Sequence, residues 1–186
     1  TVLNEFKDRE LFRVDMRHIL GRCEGIEAFG REMTVLAEVV VAASVSICRA
    51  ELVERFGTPM LDKGGACQLA VCALGKCGGR ELGFASDIEL MFVYEVEGFT
   101  NGRESIANAN FFARLVEGVT HAIRARSEGI FRIDLRLRPY GRSGSLAVSC
   151  DSFLHYFHLD GPAWPFERQS LVKLRPIAGD GEFGKR

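Results

Sequence analysis

Residues 75–95 read GKCGGRELGFASDIELMFVYE, and the architecture turns on how this stretch is interpreted. It sets a lysine between glycines, then Ser86-Asp87, then two carboxylates, Asp87 and Glu89, at the head of an apolar run. Strand side chains alternate between faces. Asp87 and Glu89 therefore share one face, and Ile88, Leu90, Phe92 and Tyr94 fill a core on the other. A strand that opens on two acids, reached through a glycine-rich turn, reads as a site rather than as packing.

The flanking sequence supplies the rest of a sheet. Residues 67–74 (CQLAVCAL) are short, apolar and followed by glycines, the pattern of a buried strand. Residues 106–125 predict a helix with Phe112, Leu115, Val119 and Ile123 on one stripe. Gly129 leads into a third strand, IFRIDLRLRP, stopped by Pro139. On it Ile133, Leu135 and Leu137 make one face, and Arg132, Asp134, Arg136 and Arg138 the other. Gly141 and Gly144 mark a turn, residues 145–149 a short strand, and Asp151 is expected to cap a helix running to about Leu159.

Two helices precede the sheet. Phe12, Met16, Ile19 and Leu20 fall at i, i+4, i+7 and i+8, with Gly21 suited to the stop. From about Arg31, the residues Met33, Leu36, Ala37, Val40, Ala43 and Ile47 keep the same period until Gly57 and Pro59. Both helices are expected to shield a core. The pattern changes near Leu61, so residues 1–60 read as a helical lead-in and residues 61–186 as a domain of strands with packed helices, α/β or α+β.

Composition sets the bounds. The chain has 186 residues, 47% hydrophobic and 26% charged, the profile of a soluble globular protein. A net charge of −1 makes nucleic acid an unexpected partner. Cys23, Cys48, Cys67, Cys72, Cys77 and Cys150 include no C-x-x-C pair, and only four histidines are present to help them, so zinc spacing fails. With no secretory leader, they are expected to be reduced, mostly buried thiols of a cytoplasmic protein. The most apolar run, residues 39–48, is too short to span a bilayer, and no membrane partner is expected. The chain starts at Thr1 and ends on Lys185-Arg186, which suggests a piece of a larger protein.

If the second and third strands are neighbours, Asp87, Glu89 and Asp134 converge with arginines beside them. Three clustered acids repel one another in a partly dry site, and a hard divalent cation is the usual remedy. Magnesium takes oxygen ligands and commonly shares its shell with phosphate. One or two such ions suit an in-line phosphoryl displacement. Backbone N–H groups of the Gly75-to-Gly79 turn are suited to phosphate, and arginines to clamping its oxygens. Taken singly, each part has an ordinary structural reading: a common turn, a strand start, an ion pair. Their order along the chain is what argues for a site.

That ordered set resembles the signature of the polymerase-β-like nucleotidyltransferase superfamily: a Gly-Gly turn, an acid-x-acid strand, then a third acid on a later strand. The wording of GKCGGRELGFASDIELMFVY, FRIDLRLRPYGRSGSLAVS and FERQSLVKLRPIAGD is similar to the glutamine synthetase adenylyltransferase family, as is the helical DRELFRVDMRHILG. The resemblance covers nearly the whole chain. It implies an α+β fold of the polymerase-β-like type, a mixed sheet with packed helices preceded by a helical segment. Residues 61–186 would be one nucleotidyltransferase domain of a cytoplasmic regulator of nitrogen metabolism. It implies Mg²⁺, ATP or ADP and phosphate, glutamine synthetase as protein substrate, and a PII signalling protein as partner of the parent enzyme. Asp87, Glu89 and Asp134 match the catalytic, metal-binding acids. Gly75, Lys76, Gly78, Gly79, Ser86, Arg136 and Arg138 are expected near phosphate.

The family has an AMP-adding half and an AMP-removing half. Arg132 two residues before Asp134, followed by R-L-R-P-x-G-x-S-G-x-L, is similar to the removing half. There, AMP leaves the glutamine synthetase tyrosine by phosphorolysis to ADP. Two departures stand out. Glu89 occupies a place where the family usually has Asp, which moves the carboxylate by roughly 1 Å or more. Trp164-Pro165-Phe166-Glu167 replaces a direct Trp-Glu and bears on a helix start. The rival expectations are an adenylyltransferase half using ATP, and a non-catalytic nucleotide-sensing domain. A nucleotide-tailing enzyme acting on RNA fits the net charge poorly.

Overall fold

The computed structural model describes residues 2–125 and 131–186. Gly129 and Ile130, read as the lead into the third strand, lie outside the described residues. In chain order the elements are α1 (Val2–Ile19), α2 (Gly25–Phe56), β1 (Leu69–Ala73), α3 (Gly75–Gly78), β2 (Ile88–Tyr94), α4 (Asn108–Ala122), β3 (Ile133–Asp134), β4 (Ala147–Ser149), α5 (Cys150–Phe157), α6 (Pro165–Ser170), β5 (Arg175–Gly179) and α7 (Gly181–Gly184). The protein is α+β, with a five-stranded mixed sheet in the order β3-β2-β1-β5. β1 runs antiparallel to β2 and β5, whereas β3 and β4 pair parallel to β2.

β3 joins β2 at its start, Ile88↔Ile133 and Glu89↔Asp134. β4 joins it at its end, Phe92↔Ala147 to Tyr94↔Ser149. Both lie along the edge of β2 that β1 leaves open, so the segment between them loops out from the sheet. This is why the third strand is two residues long rather than the ten read from sequence. Pro139 and the αL residue Tyr140 (φ 61°) turn the chain away after Arg138.

The sheet is buried on both faces, which explains why β1 and β2 read as near-continuous apolar runs. Leu69, Val71, Ala73, Ile88, Leu90, Phe92 and Tyr94 pack with α1, α2 and α4. Ala70, Cys72, Met91 and Val93 face Val148, Phe183 and the partly buried Phe153, Phe157 and Leu171. Phe112, Leu115, Val119 and Ile123 are buried, as their spacing predicts. All six cysteines are free, four of them buried and two intermediate.

Four expectations need correction. In α1 the buried side is Asn4, Lys7, Leu11 and Val14, while Phe12, Ile19 and Leu20 are exposed. The i, i+4 stripe is real, but it lies beside the face that meets the core. Lys7 is only 1% exposed and donates to Asp8 Oδ1 at 2.7 Å and to the Arg124 carbonyl at 2.8 Å. In α2 the buried stripe runs through Met33, Ala37, Val40, Val41 and Ser44, and leaves Ile47 exposed. The run at 39–48 belongs to this 32-residue helix, which is long and apolar enough to cross a membrane; 50% of its most apolar window is buried inside the protein. At α5 the cap is Ser149, whose hydroxyl accepts from the Ser152 N–H, and Asp151 sits in the first turn. β5 carries no strand pattern in the sequence, because Pro176 interrupts it; it is an edge strand, where proline is tolerated.

Candidate functional site

The acids meet at the β2–β3 junction. The ladder sets Glu89 opposite Asp134, and Asp87 immediately precedes β2 on the same face as Glu89. The Ile88 N–H donates to the Arg132 carbonyl at 2.8 Å and locks that register. The sequence-predicted acids are thus brought together by one pair of parallel strands.

The arginines are already engaged with them. Arg132 Nη2 donates to Asp87 Oδ2 at 2.8 Å. Arg136 donates from its main chain to Asp134 Oδ1 at 2.9 Å, and its Nε reaches both carboxylate oxygens, with Nη2 joining on Oδ2. This charged fork and the main-chain donor hold the Asp134 carboxyl below the usual carboxylate range, against the effect of its burial. Among the described residues, no three His, Cys, Asp or Glu side chains stand gathered as a metal cage. Even so, at this junction Asp87 Oδ1 and Glu89 Oε2 are buried without a hydrogen-bond partner.

Glu89 behaves differently from its neighbours. Burial, and then the charges of Asp134 and Asp87, push its carboxyl upward. Its extra methylene is accommodated at Gly75, where a β-carbon would lie 2.8 Å from Glu89 Oε2. A raised folded pKa means that the folded state holds the proton more tightly than the unfolded chain. The associated stability is complete below the ordinary glutamate value of 4.5 and is lost as pH rises through the raised folded value. In cation-free buffer, Glu89→Gln is expected to melt higher than wild type at pH 7, with the difference closing towards pH 4. Thermal melts across that range check it.

The glycine segment is a single helical turn, α3, rather than an open turn. The Gly78 and Gly79 N–H groups donate within it, to Leu74 and Gly75 carbonyls at 2.8 and 3.1 Å. Gly78 serves close packing: a β-carbon there would lie 2.0 Å from the Lys173 carbonyl oxygen. Arg175 donates to the Gly78 and Cys77 carbonyls at 3.0 Å each and pairs with Glu38 of α2 at 2.6 Å. No sequence pattern marks this cross-tie between the helical lead-in and the site, because the lone arginine before Pro176 carries no periodic signal. Lys76 is exposed on α3. The buried Ser86 hydroxyl accepts from the Gly83 N–H at 3.2 Å and shapes the loop entering Asp87. Arg138 is also buried and gives its guanidinium to the Gly144, Leu135 and Arg142 carbonyls, bracing the loop between β3 and β4. Arg132, absent from the residues expected near phosphate, stands directly on Asp87. Its i−2 spacing from Asp134 on a strand was the available signal.

A family model described as "Glutamate-ammonia ligase adenylyltransferase" matches residues 1–186. Proteins named bifunctional glutamine synthetase adenylyltransferase/adenylyl-removing enzyme are similar along the chain. The one from Thioalkalivibrio sulfidiphilus is 36% identical over 185 residues, covering 98% of this chain and 19% of its own length. The one from Aromatoleum aromaticum is 44% identical over 150 residues, 80% of this chain and 16% of its own. The one from Methylococcus capsulatus is 34% identical over 186 residues, 99% of this chain and 19% of its own. The chain therefore spans about a fifth of the length of these relatives.

Proposed function

The chain belongs to the glutamate–ammonia ligase adenylyltransferase family, a family of nucleotidyltransferase enzymes, and on that premise we propose that it forms the phosphoryl-transfer site of an AMP-removing domain acting on glutamine synthetase. One observation carries the reading. The register Glu89↔Asp134 sets the acids of two strands side by side, with buried oxygens on Asp87 and Glu89 left unpartnered. Buried polar atoms without partners are costly and uncommon, and hard oxygen donors at such a place suit a divalent cation.

The donor set fits Mg²⁺. Asp87 and Glu89 would hold it, with Asp134 joining them once Arg136 releases its oxygens. When bound, the ion would supply charge to the phosphoryl oxygens and orient them. The chain's own residues do the remaining work. While no cation is bound Asp134 holds Arg136 at the rim, Arg138 keeps the loop behind it rigid, and Gly75 makes room for Glu89. Lys76, on the turn facing Glu89, provides positive charge for an entering phosphate, and Ser86 fixes the approach to Asp87. Phosphoryl transfer asks chiefly for positioning and electrostatics, which this set supplies. The two covered sheet faces and the strand order are consistent with a polymerase-β-like nucleotidyltransferase fold spanning residues 61–186, with residues 1–60 as its helical lead-in. Cytoplasmic location and control by a PII signalling protein belong to the same proposal.

The removing direction rests on the R-x-D-x-R-L-R-P-x-G-x-S-G sequence of residues 132–144, in which Arg132 engages Asp87. The adding direction and a nucleotide-sensing role are the alternatives. Incubating the chain with adenylylated glutamine synthetase, phosphate and Mg²⁺ is expected to release ADP. Incubation with unmodified glutamine synthetase and labelled ATP is expected to leave that protein unlabelled. Labelling without ADP release would reverse the direction, and nucleotide binding without either reaction would favour sensing.

A further inference from the structure

This inference rests on the phosphoryl-transfer reading and concerns the two arginines at its rim. The side chains of Arg132 and Arg136 are 50% and 56% exposed, while the acids they hold, Asp87 and Asp134, are 20% and 9% exposed. The negative charges are therefore fixed and inward, and the positive charges sit on long arms open to solvent. The pairing is also incomplete. Arg132 binds only Asp87 Oδ2, and Asp87 Oδ1 and Glu89 Oε2 stay buried without a partner. Arg132 thus neutralises charge without meeting the hydrogen-bonding capacity of Asp87 and Glu89, whereas Arg136 reaches both oxygens of Asp134. Arg138, four residues beyond Asp134, shows the contrast: it is buried and has three main-chain acceptors.

We propose that Arg132 and Arg136 are exchangeable counter-ions, which hold Asp87 and Asp134 while no divalent cation is bound and release them when one binds. Released guanidiniums remain at the rim, where phosphate oxygens would enter, and the planar fork of arginine suits those oxygens. The same two side chains then serve the empty and the loaded site. Cation affinity is set by competition: each bound ion must displace an ion pair, and affinity is weaker than the acids alone would give. The guanidiniums are half-exposed, so water takes them up on release; the bidentate Arg136–Asp134 pair, on a buried carboxylate, is the costlier of the two to open.

The test is a Mn²⁺ titration of the purified 186-residue chain, followed by water-proton relaxation, with no substrate present. Arg132→Gln is expected to tighten Mn²⁺ binding by about 3- to 10-fold, the order expected for removing one exposed ion pair and one nearby positive charge. Arg142 lines the same surface depression, and its carbonyl accepts from Arg138. Arg142→Gln removes the same formal charge from the chain and is expected to change the affinity less than twofold. Arg132→Lys, which keeps the charge, should fall between wild type and Arg132→Gln. Thermal melts confirm that each variant is folded. Wild-type binding with no change in Arg132→Gln, or equal tightening in Arg132→Gln and Arg142→Gln, would overturn the exchange and leave the phosphoryl-transfer reading standing. Absence of Mn²⁺ binding in every folded variant would overturn both.

Discussion

Asp134→Asn is expected to lower phosphate-dependent ADP release by about 10²- to 10³-fold, the range seen when one preorganised electrostatic group is removed from a phosphoryl or acyl transfer site. Asp134 is 9% exposed, opposes Glu89 in the ladder, and takes both its main-chain and its guanidinium donors from Arg136. Asparagine keeps an oxygen for the Arg136 N–H but removes the negative charge with which Asp134 would join Asp87 and Glu89 on the cation. Turnover should therefore fall while the fold survives, with a loss of stability of no more than about 2 kcal/mol for a hydrogen bond to a charged group. Initial rates and a thermal melt on the same preparation check it. A melt unchanged and a rate unchanged would remove Asp134 from the site.

Gly78→Ala is expected to be the most damaging single methyl addition at the site. A β-carbon there would stand 2.0 Å from the Lys173 carbonyl oxygen and 2.8 Å from the Ala73 carbonyl oxygen. Both are main-chain atoms, so neither can swing aside as a side chain would. The carbonyl of Gly78 itself accepts from Arg175, which pairs with Glu38. Displacing α3 would strain β5 and its tie to α2 together. The cost should reach about 3 kcal/mol, the upper end for overpacking, or a fall in melting temperature of roughly 10 °C for a chain of this size. Gly181→Ala is the control, because nothing lies within 4 Å of its β-carbon. It should stay within about 0.5 kcal/mol of wild type.

Much of this was legible from strand alternation. Asp87 and Glu89 followed from the period of two, because β2 is paired on both edges and has no freedom to slip. Asp134 opposite Glu89 required only that β3 be the neighbour of β2. What was not legible depended on tertiary partners. The role of Gly78 depends on Lys173, 95 positions away, and no local pattern announces a carbonyl at that distance. Arg136 and Arg138 look equivalent on an alternating strand. They part because the strand ends at Asp134, leaving Arg136 at the rim and turning Arg138 onto loop carbonyls. The stripe through Phe12, Ile19 and Leu20 misled because helix periodicity reports an apolar face without saying what covers it.

The decisive comparison is phosphate-dependent ADP release from adenylylated glutamine synthetase by the wild-type chain and by Asp87→Asn. Asp87 carries one of the two unpartnered buried carboxylate oxygens at the β2–β3 junction and the Arg132 contact. Release by the wild type, with loss of at least about 10²-fold in the variant, is the predicted result. Equal release by both would contradict the assignment of the acids at the β2–β3 junction as the reacting site.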